Sequence, residues 1–120
     1  MLQLSTATRY YWYSQAVDMR KGFDALCGMV NEHMKQSVLQ GGVYIFCNRR
    51  HNQIKLLHWE GDGLAIYYKR LEKGTYELPA FTESSSHGII AASQLQLILQ
   101  GIVLSSVRHK PRFSFIKEAV

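Results

Sequence analysis

Residues 46–79 read FCNRRHNQIKLLHWEGDGLAIYYKRLEKGTYELP and contain three short apolar and aromatic runs separated by polar turns. Two of these runs, residues 54–59 and 64–68, are rich in β-branched, leucine and aromatic side chains, as strands usually are. Between them, residues 60–63 supply two glycines that can adopt positive φ. The pattern predicts a β-hairpin, around which the rest of the fold can be arranged.

The chain that follows the hairpin predicts a third strand. Residues 71–74 have the composition of a turn, and residues 75–78 are expected to return beside the hairpin. This strand is expected to end at Pro79, because proline has no N–H to donate to a sheet. The small polar residues 82–88 then predict a flexible loop.

Two earlier segments complete the predicted sheet. Residues 43–47 are apolar on both faces, which is typical of a central strand. Residues 9–13 form a dense aromatic run in which Tyr10 and Trp12 share one face. We interpret this run as a packed strand; the alternative is a set of rings available for base stacking.

Two helices are predicted from apolar periodicity. The first covers residues 19–34, with Asp18 as its N-cap. The second covers residues 93–100, with Ser93 as its N-cap and Gly101 as a left-handed stop. The expected fold is therefore α+β: an antiparallel sheet of about five strands packed against one main helix and a shorter C-terminal helix, in an order that these patterns do not determine.

Length and composition indicate one globular domain. The chain has 120 residues, of which 47% are hydrophobic and 19% charged. We expect a single α+β domain over residues 1–104 and a basic tail over 105–120. No apolar run could span a membrane and no signal peptide is evident, so a cytoplasmic protein is expected. Cys27 and Cys47 are expected to be reduced, buried residues.

Basic residues concentrate in and around the predicted turns. The formal net charge of +5 favours anionic partners. Aromatic residues lie between the cations, as in many nucleic-acid-binding surfaces. The candidate DNA-contacting residues are Arg49, Arg50, Lys55, Lys69, Arg70, Arg20 and Lys21. Two structural alternatives remain open: a solvated turn at Arg49 and Arg50, and a local ion pair of Arg20 with either Asp18 or Asp24.

A second set of candidates comes from the aromatic residues, since tyrosine, tryptophan and arginine anchor many protein interfaces. The candidate partner-binding residues are Trp59, Tyr67, Tyr68, Trp12 and Tyr10. By contrast, the sequence has no recognisable catalytic motif, and its histidines and cysteines lack metal-ligand spacing. We therefore expect no enzymatic activity, no metal and no cofactor, and His58 is expected to be a structural hydrogen-bonding residue.

Two separated blocks of this sequence resemble a known family. Residues 17–26 read VDMRKGFDAL, and the second block runs from Asn48 through Tyr68 to Pro79. Both resemble the small TnpB-type accessory protein encoded by the second open reading frame of the IS sixty-six family of bacterial insertion sequences. The resemblance implies an accessory role in transposition and brings no established catalytic residues. The implied partners are DNA at the element ends, the element's transposase, or both, and the protein could also form a homo-oligomer.

Overall fold

A computed structural model describes residues 4–80 and 85–101 of the chain. The strands are β1 (Tyr10–Tyr13), β2 (Val43–Cys47), β3 (Gln53–Trp59), β4 (Leu64–Arg70) and β5 (His87–Ile90). The helices are α1 (Phe23–His33) and α2 (Ala92–Gln100), with a short 3-10 helix at Val38–Gln40. The five strands form one sheet in the order β4-β3-β2-β1-β5. The α+β class, with a main helix and a shorter C-terminal one, is confirmed.

The sheet is mixed, whereas an antiparallel sheet was expected. β2 pairs antiparallel with β3, β3 with β4, and β1 with β5, but β1 and β2 run parallel. Parallel neighbours need a long crossover connection, and the chain between β1 and β2 contains α1. That helix carries the chain back, so that β2 can run beside β1 in the same direction.

The hairpin of β3 and β4 forms as predicted. Its register runs from Gln53 opposite Arg70 to Trp59 opposite Leu64. At the turn, the Glu60 N–H donates to the Gly63 carbonyl at 2.8 Å. Of the two glycines, Gly61 has the positive φ, at 97°.

The prediction of a strand over residues 75–78 is wrong, because these residues form no strand. Gly74 takes a φ of 82°, and the chain then packs on the sheet instead of joining its edge. Tyr76 is buried in the core, and its N–H donates to the His51 carbonyl at 2.6 Å. The remaining strand is β5, which includes His87 and Gly88 from the segment predicted to be a loop.

A hydrophobic core lies on each face of the sheet, in agreement with the two apolar faces predicted for β2. On one face, Leu26 and Val30 of α1 pack in a cluster with Tyr44, Phe46 and Leu57. The cluster on the other face is built from both helix and sheet residues. It contains Tyr10, Trp12, Val43, Ile45, Cys47, Ile54, Leu56, Tyr76, Ile90, Leu95 and Ile98.

Helix α1 starts later than predicted. Asp18 is not its N-cap; its carbonyl instead accepts the Lys21 N–H at 3.1 Å in a separate turn, and Gly22 precedes the first helical residue. The cations Arg20 and Lys21 therefore lie before the helix, where the helix dipole destabilises a positive charge less than in the first turn.

Helix α2 begins at Ala92 instead of using Ser93 as its cap, since the Gln94 Oε1 accepts the Ala91 N–H at 3.0 Å. Its end is as predicted, with Gly101 at a φ of 83°. No helix within the described residues is long and apolar enough to cross a membrane. The predicted basic tail, residues 105–120, lies outside the described residues.

Candidate nucleic-acid interface

The turn between β2 and β3 presents two arginines at its tip. The Asn48 Oδ1 accepts the backbone N–H groups of Asn52 at 3.0 Å and Gln53 at 2.9 Å. Asparagine is favoured at the first position of such turns because its side chain can satisfy the backbone that follows. Arg49 and Arg50 are exposed, and neither forms an ion pair with another described residue. Their guanidinium groups are therefore available to an external anion.

A second turn, residues 17–21, is attached beside this tip. The Val17 N–H donates to the Cys47 carbonyl, the last residue of β2, at 2.9 Å. Lys55, on β3, holds the other end of the turn. Its ammonium donates to the Met19 carbonyl at 2.7 Å and to the Lys21 carbonyl at 2.8 Å. Two segments that are distant in sequence are thus fixed side by side.

Within this second turn, Arg20 forms an ion pair with Asp18, one of the two aspartates that the sequence offered as partners. The closest contact, Nη2 to Oδ2, is 2.6 Å, and the backbone N–H of Arg20 adds a bond to Oδ1 at 2.9 Å. These hydrogen bonds lower the pKa of the Asp18 carboxyl to about 2. The Arg20 guanidinium remains largely exposed, but part of its charge is balanced by Asp18.

The two turns border an open cleft of about 580 Å³, a volume within the usual range for ligand sites. We call it the arginine cleft. It is lined by Ala16, Val17, Asp18, Met19, Arg20, Asn48, Arg49, Arg50, Gln53 and Tyr68. Three arginines and one aspartate line it, so the cleft carries a net positive charge.

Tyr68 forms one wall of the arginine cleft from β4. Its side chain lies opposite Lys55 in the β3–β4 register, and the Lys55 ammonium is 4.6 Å from the centroid of its ring. The Tyr68 hydroxyl donates to the Gln53 Oε1. Even with these contacts the residue is 51% exposed. The cleft therefore combines cations with an accessible aromatic ring.

The family model described as "IS66 Orf2 like protein" matches residues 8–109 of the chain. This chain belongs to that family. It is the IS sixty-six accessory family that the two sequence blocks indicated, and both blocks fall within the match. Membership in the IS66 Orf2-like family implies an accessory role in transposition.

Two relatives of this family member come from Sinorhizobium fredii (strain NBRC 101917 / NGR234). Uncharacterized protein y4jC is 24% identical over 111 residues, covering 92% of this chain and 93% of the relative. Uncharacterized protein y4hO is 33% identical over 104 residues, covering 85% and 87%. No solved structure matches.

Lys55, a candidate DNA-contacting residue, is buried in this IS66 Orf2-like chain. It is only 8% exposed, and its ammonium is engaged by two carbonyls and the Tyr68 ring. Two of its three N–H groups are bonded to carbonyls and the residue is nearly inaccessible, so the ammonium is poorly placed to contact a phosphate. The structure therefore makes Lys55 an internal support of the cleft.

The other predicted cations are distributed around the cleft. Arg70 lies on the same face of β4 as Tyr68 and forms an exposed ion pair with Glu72 at 3.0 Å. Lys69 lies on the opposite face, paired with Ile54 in the register. Lys21 is exposed at the end of the second turn. Only Arg20, Arg49 and Arg50 of the predicted set line the cleft itself.

The predicted partner-binding aromatics have different degrees of burial. Trp12 is 1% and Tyr10 2% exposed, and both lie within the core. Neither ring is therefore accessible to a partner protein. Trp59 and Tyr67 are partly buried, and Tyr68 is the most accessible of the set. As predicted, His58 has a structural contact, with its Nδ1 3.1 Å from the Gly42 carbonyl oxygen.

Sequence reasoning did not assign roles to two residues of the cleft. Asn48 organises the tip, and asparagine at the start of a turn was the available signal. Gln53 orients Tyr68 by accepting a hydrogen bond from its hydroxyl. The sequence carries no signal for this contact, because only the β3–β4 register brings the two side chains together. Within residues 4–80 and 85–101, no cluster of three or more His, Cys, Asp or Glu residues could hold a metal ion.

Proposed function

We propose that this IS66 Orf2-like protein is a non-catalytic accessory factor of transposition that contacts DNA through the arginine cleft. The observation that carries the proposal is the convergence of two distant basic segments, residues 17–21 and 48–50, on one positively charged cleft. Each segment belongs to a block that resembles the family, and each is held in place by hydrogen bonds to the sheet.

Arg49 and Arg50 are the principal phosphate contacts in this proposal. Guanidinium groups match the geometry of phosphate oxygens and stay charged at all physiological pH values. The two arginines have no competing carboxylate among the described residues. Arg20 contributes less, because a phosphate must compete with Asp18 for its guanidinium. Lys21 and Arg70 extend the basic surface, and Lys69 contributes only from the other face of the sheet.

An alternative function is docking to the element's transposase without DNA contact. It is supported by a single exposed apolar side chain, Ile89, which is 62% exposed on the edge strand β5. Edge strands offer unpaired backbone groups to a partner. In that case an Ile89→Lys variant would lose co-purification with the transposase, while Arg49→Ala/Arg50→Ala would retain it.

The test is fluorescence anisotropy of the purified protein with labelled DNA carrying the element's terminal repeat. The repeat is offered as a duplex and as each separate strand, with scrambled versions of each, at several salt concentrations. The Arg49→Ala/Arg50→Ala variant should bind much more weakly. The slope of log affinity against log salt should also become shallower, by about 0.9 per lost contact on a duplex and about 0.7 on a single strand.

A charge-matched control is available at two exposed cations that do not line the cleft. Arg9 precedes β1 and Lys35 follows α1, and both are exposed. The Arg9→Ala/Lys35→Gln variant loses the same two charges as the cleft variant, so it should bind DNA nearly as well as the parent protein. Equal losses in both double variants, or no binding to any DNA at low salt, would reject the cleft as a DNA-contacting site.

A further inference from the structure

The two faces of the Tyr68 ring have different surroundings. The Lys55 ammonium lies over the ring, 4.6 Å from its centroid. That ammonium is held from behind by the Met19 and Lys21 carbonyls, so its position is fixed. Tyr68 is nevertheless 51% exposed, and it lines both the arginine cleft and a neighbouring pocket formed with Arg70 and Glu72.

The ring is also held in one orientation. Its hydroxyl donates to the Gln53 Oε1, and Gln53 lies on the adjacent strand β3. A ring fixed by a hydrogen bond at one end and a cation on one side loses little conformational freedom when a ligand stacks on it.

Arginines and an accessible aromatic ring in one groove form the combination that binds single-stranded nucleic acid. Cations follow the backbone phosphates, and aromatic rings stack with the bases. Here Arg49 and Arg50 line the same cleft as Tyr68. Bases inside a duplex are already stacked on both sides, so a protein ring can stack on them only if they are unpaired or extruded.

We infer that the arginine cleft binds an unpaired nucleotide of single-stranded DNA, with its base stacked on Tyr68 and the adjacent phosphates on Arg49 and Arg50. Lys55 and Gln53 are positioning residues for the ring. This inference rests on the proposed function and narrows its substrate class from DNA in general to unpaired DNA.

The experiment compares two single strands that differ only in their bases. One is a labelled oligothymidylate of about 12 nucleotides, a length within known single-strand site sizes. The other has the same number of phosphates on an abasic backbone. The parent protein should bind the oligothymidylate about 5- to 150-fold more tightly, the range that stacking of a base on an aromatic ring provides.

Variants assign this preference to the ring. Tyr68→Leu should bind both strands equally, whereas Tyr68→Phe, which keeps the ring, should retain most of the preference. Tyr67→Leu serves as the control, since Tyr67 is the neighbouring residue on the opposite face of β4. It should retain the preference, with its folding checked by circular dichroism. Arg49→Ala/Arg50→Ala should lower the affinity for both strands by the same factor.

Equal affinity of the parent protein for the two strands would overturn the inference, as would a preference that survives in Tyr68→Leu. If terminal-repeat duplex binding still depended on Arg49 and Arg50 in that event, the proposed function would stand without the stacking site. If no DNA of either form bound, both would fail.

Discussion

The Lys55 ammonium donates a 2.7 Å hydrogen bond to the backbone carbonyl of Met19, 36 residues earlier in the chain. Lys55 is on β3, and Met19 is in the turn that carries Arg20. No ion pair compensates this buried ammonium among the described residues. Two carbonyl oxygens and an aromatic ring stabilise it instead. The bond therefore ties the two halves of the arginine cleft together.

Replacing this cation should loosen the cleft without removing a phosphate contact. Lys55→Met keeps the apolar stem and leaves the two carbonyls without their donor, so the free energy of unfolding should fall by about 1–3 kcal/mol in urea denaturation. DNA affinity should fall while the salt slope stays unchanged. A shallower slope would instead identify Lys55 as a direct phosphate contact. Lys69→Met, on an exposed residue, should change stability by less than about 0.5 kcal/mol.

Removing the negative charge from the cleft should strengthen DNA binding. Asp18→Asn keeps an oxygen that can accept the Arg20 backbone N–H but no longer balances its guanidinium. Anisotropy titrations should show tighter binding and a steeper salt dependence, because Arg20 becomes available to a phosphate. Glu32→Gln is the matched control, since it removes one negative charge from an exposed residue of α1 that does not line the cleft, and it should leave the affinity nearly unchanged. An unchanged affinity in Asp18→Asn would exclude Arg20 from the contact surface.

The Asp18 carboxyl should titrate well below its usual range. Hydrogen bonds from Arg20 lower its pKa from 3.8 to about 2. Because the folded pKa is the lower one, the pair stabilises the fold above pH about 4, and this contribution is lost as the pH falls through about 2. Carboxyl carbon chemical shifts measured by NMR should report the low pKa. In Arg20→Ala the pKa should return towards 3.8; a value that stays low would assign the shift to another group.

Replacing two glycines by alanine should change the stability of the protein in opposite directions. A Cβ on Gly42 would lie 2.7 Å from the Tyr11 Cε2, and the Tyr11 ring is stacked on Tyr44 with centroids 5.2 Å apart. Gly42→Ala should therefore destabilise the protein by about 1–3 kcal/mol. Gly28 lies inside α1, where a Cβ meets nothing within 4 Å, so Gly28→Ala should stabilise it by about 1 kcal/mol. Thermal unfolding measures both; stabilisation by Gly42→Ala would contradict the contact.

The two thiols should differ in reactivity. Cys47 is 3% exposed, and burial raises its pKa to about 11. Cys27 is partly accessible, although burial and the nearby Asp24 raise its pKa as well. Thiolates are the reactive species, so iodoacetamide at pH 8 should modify Cys27 first and Cys47 only after unfolding, as mass spectrometry can show. Early modification of Cys47 would indicate local opening of β2.

Local patterns predicted most of the secondary structure. The β3–β4 hairpin follows from residues 60–63, where Gly61 allows the positive φ that the turn needs. The two-sided apolar run of β2 placed it at the centre of the sheet, which is where it lies. Alternation of side chains also placed Tyr10 and Trp12 on one face of β1, and both lie in the same core cluster, although the sequence had also suggested Trp12 as a partner-binding residue. These features depend on neighbours within a few residues, so the sequence displays them directly.

Long-range packing decided what these patterns left open. The parallel pairing of β1 with β2, the choice of residues 87–90 over 75–78 as the fifth strand, and the start of α1 at Phe23 all depend on contacts between distant segments. Lys55 shows the same limit at the cleft. In sequence it is one more cation beside Arg49 and Arg50; in the fold, two carbonyls from another segment bind its ammonium. A residue type states which bonds a side chain can form, but only the tertiary structure brings their partners within reach.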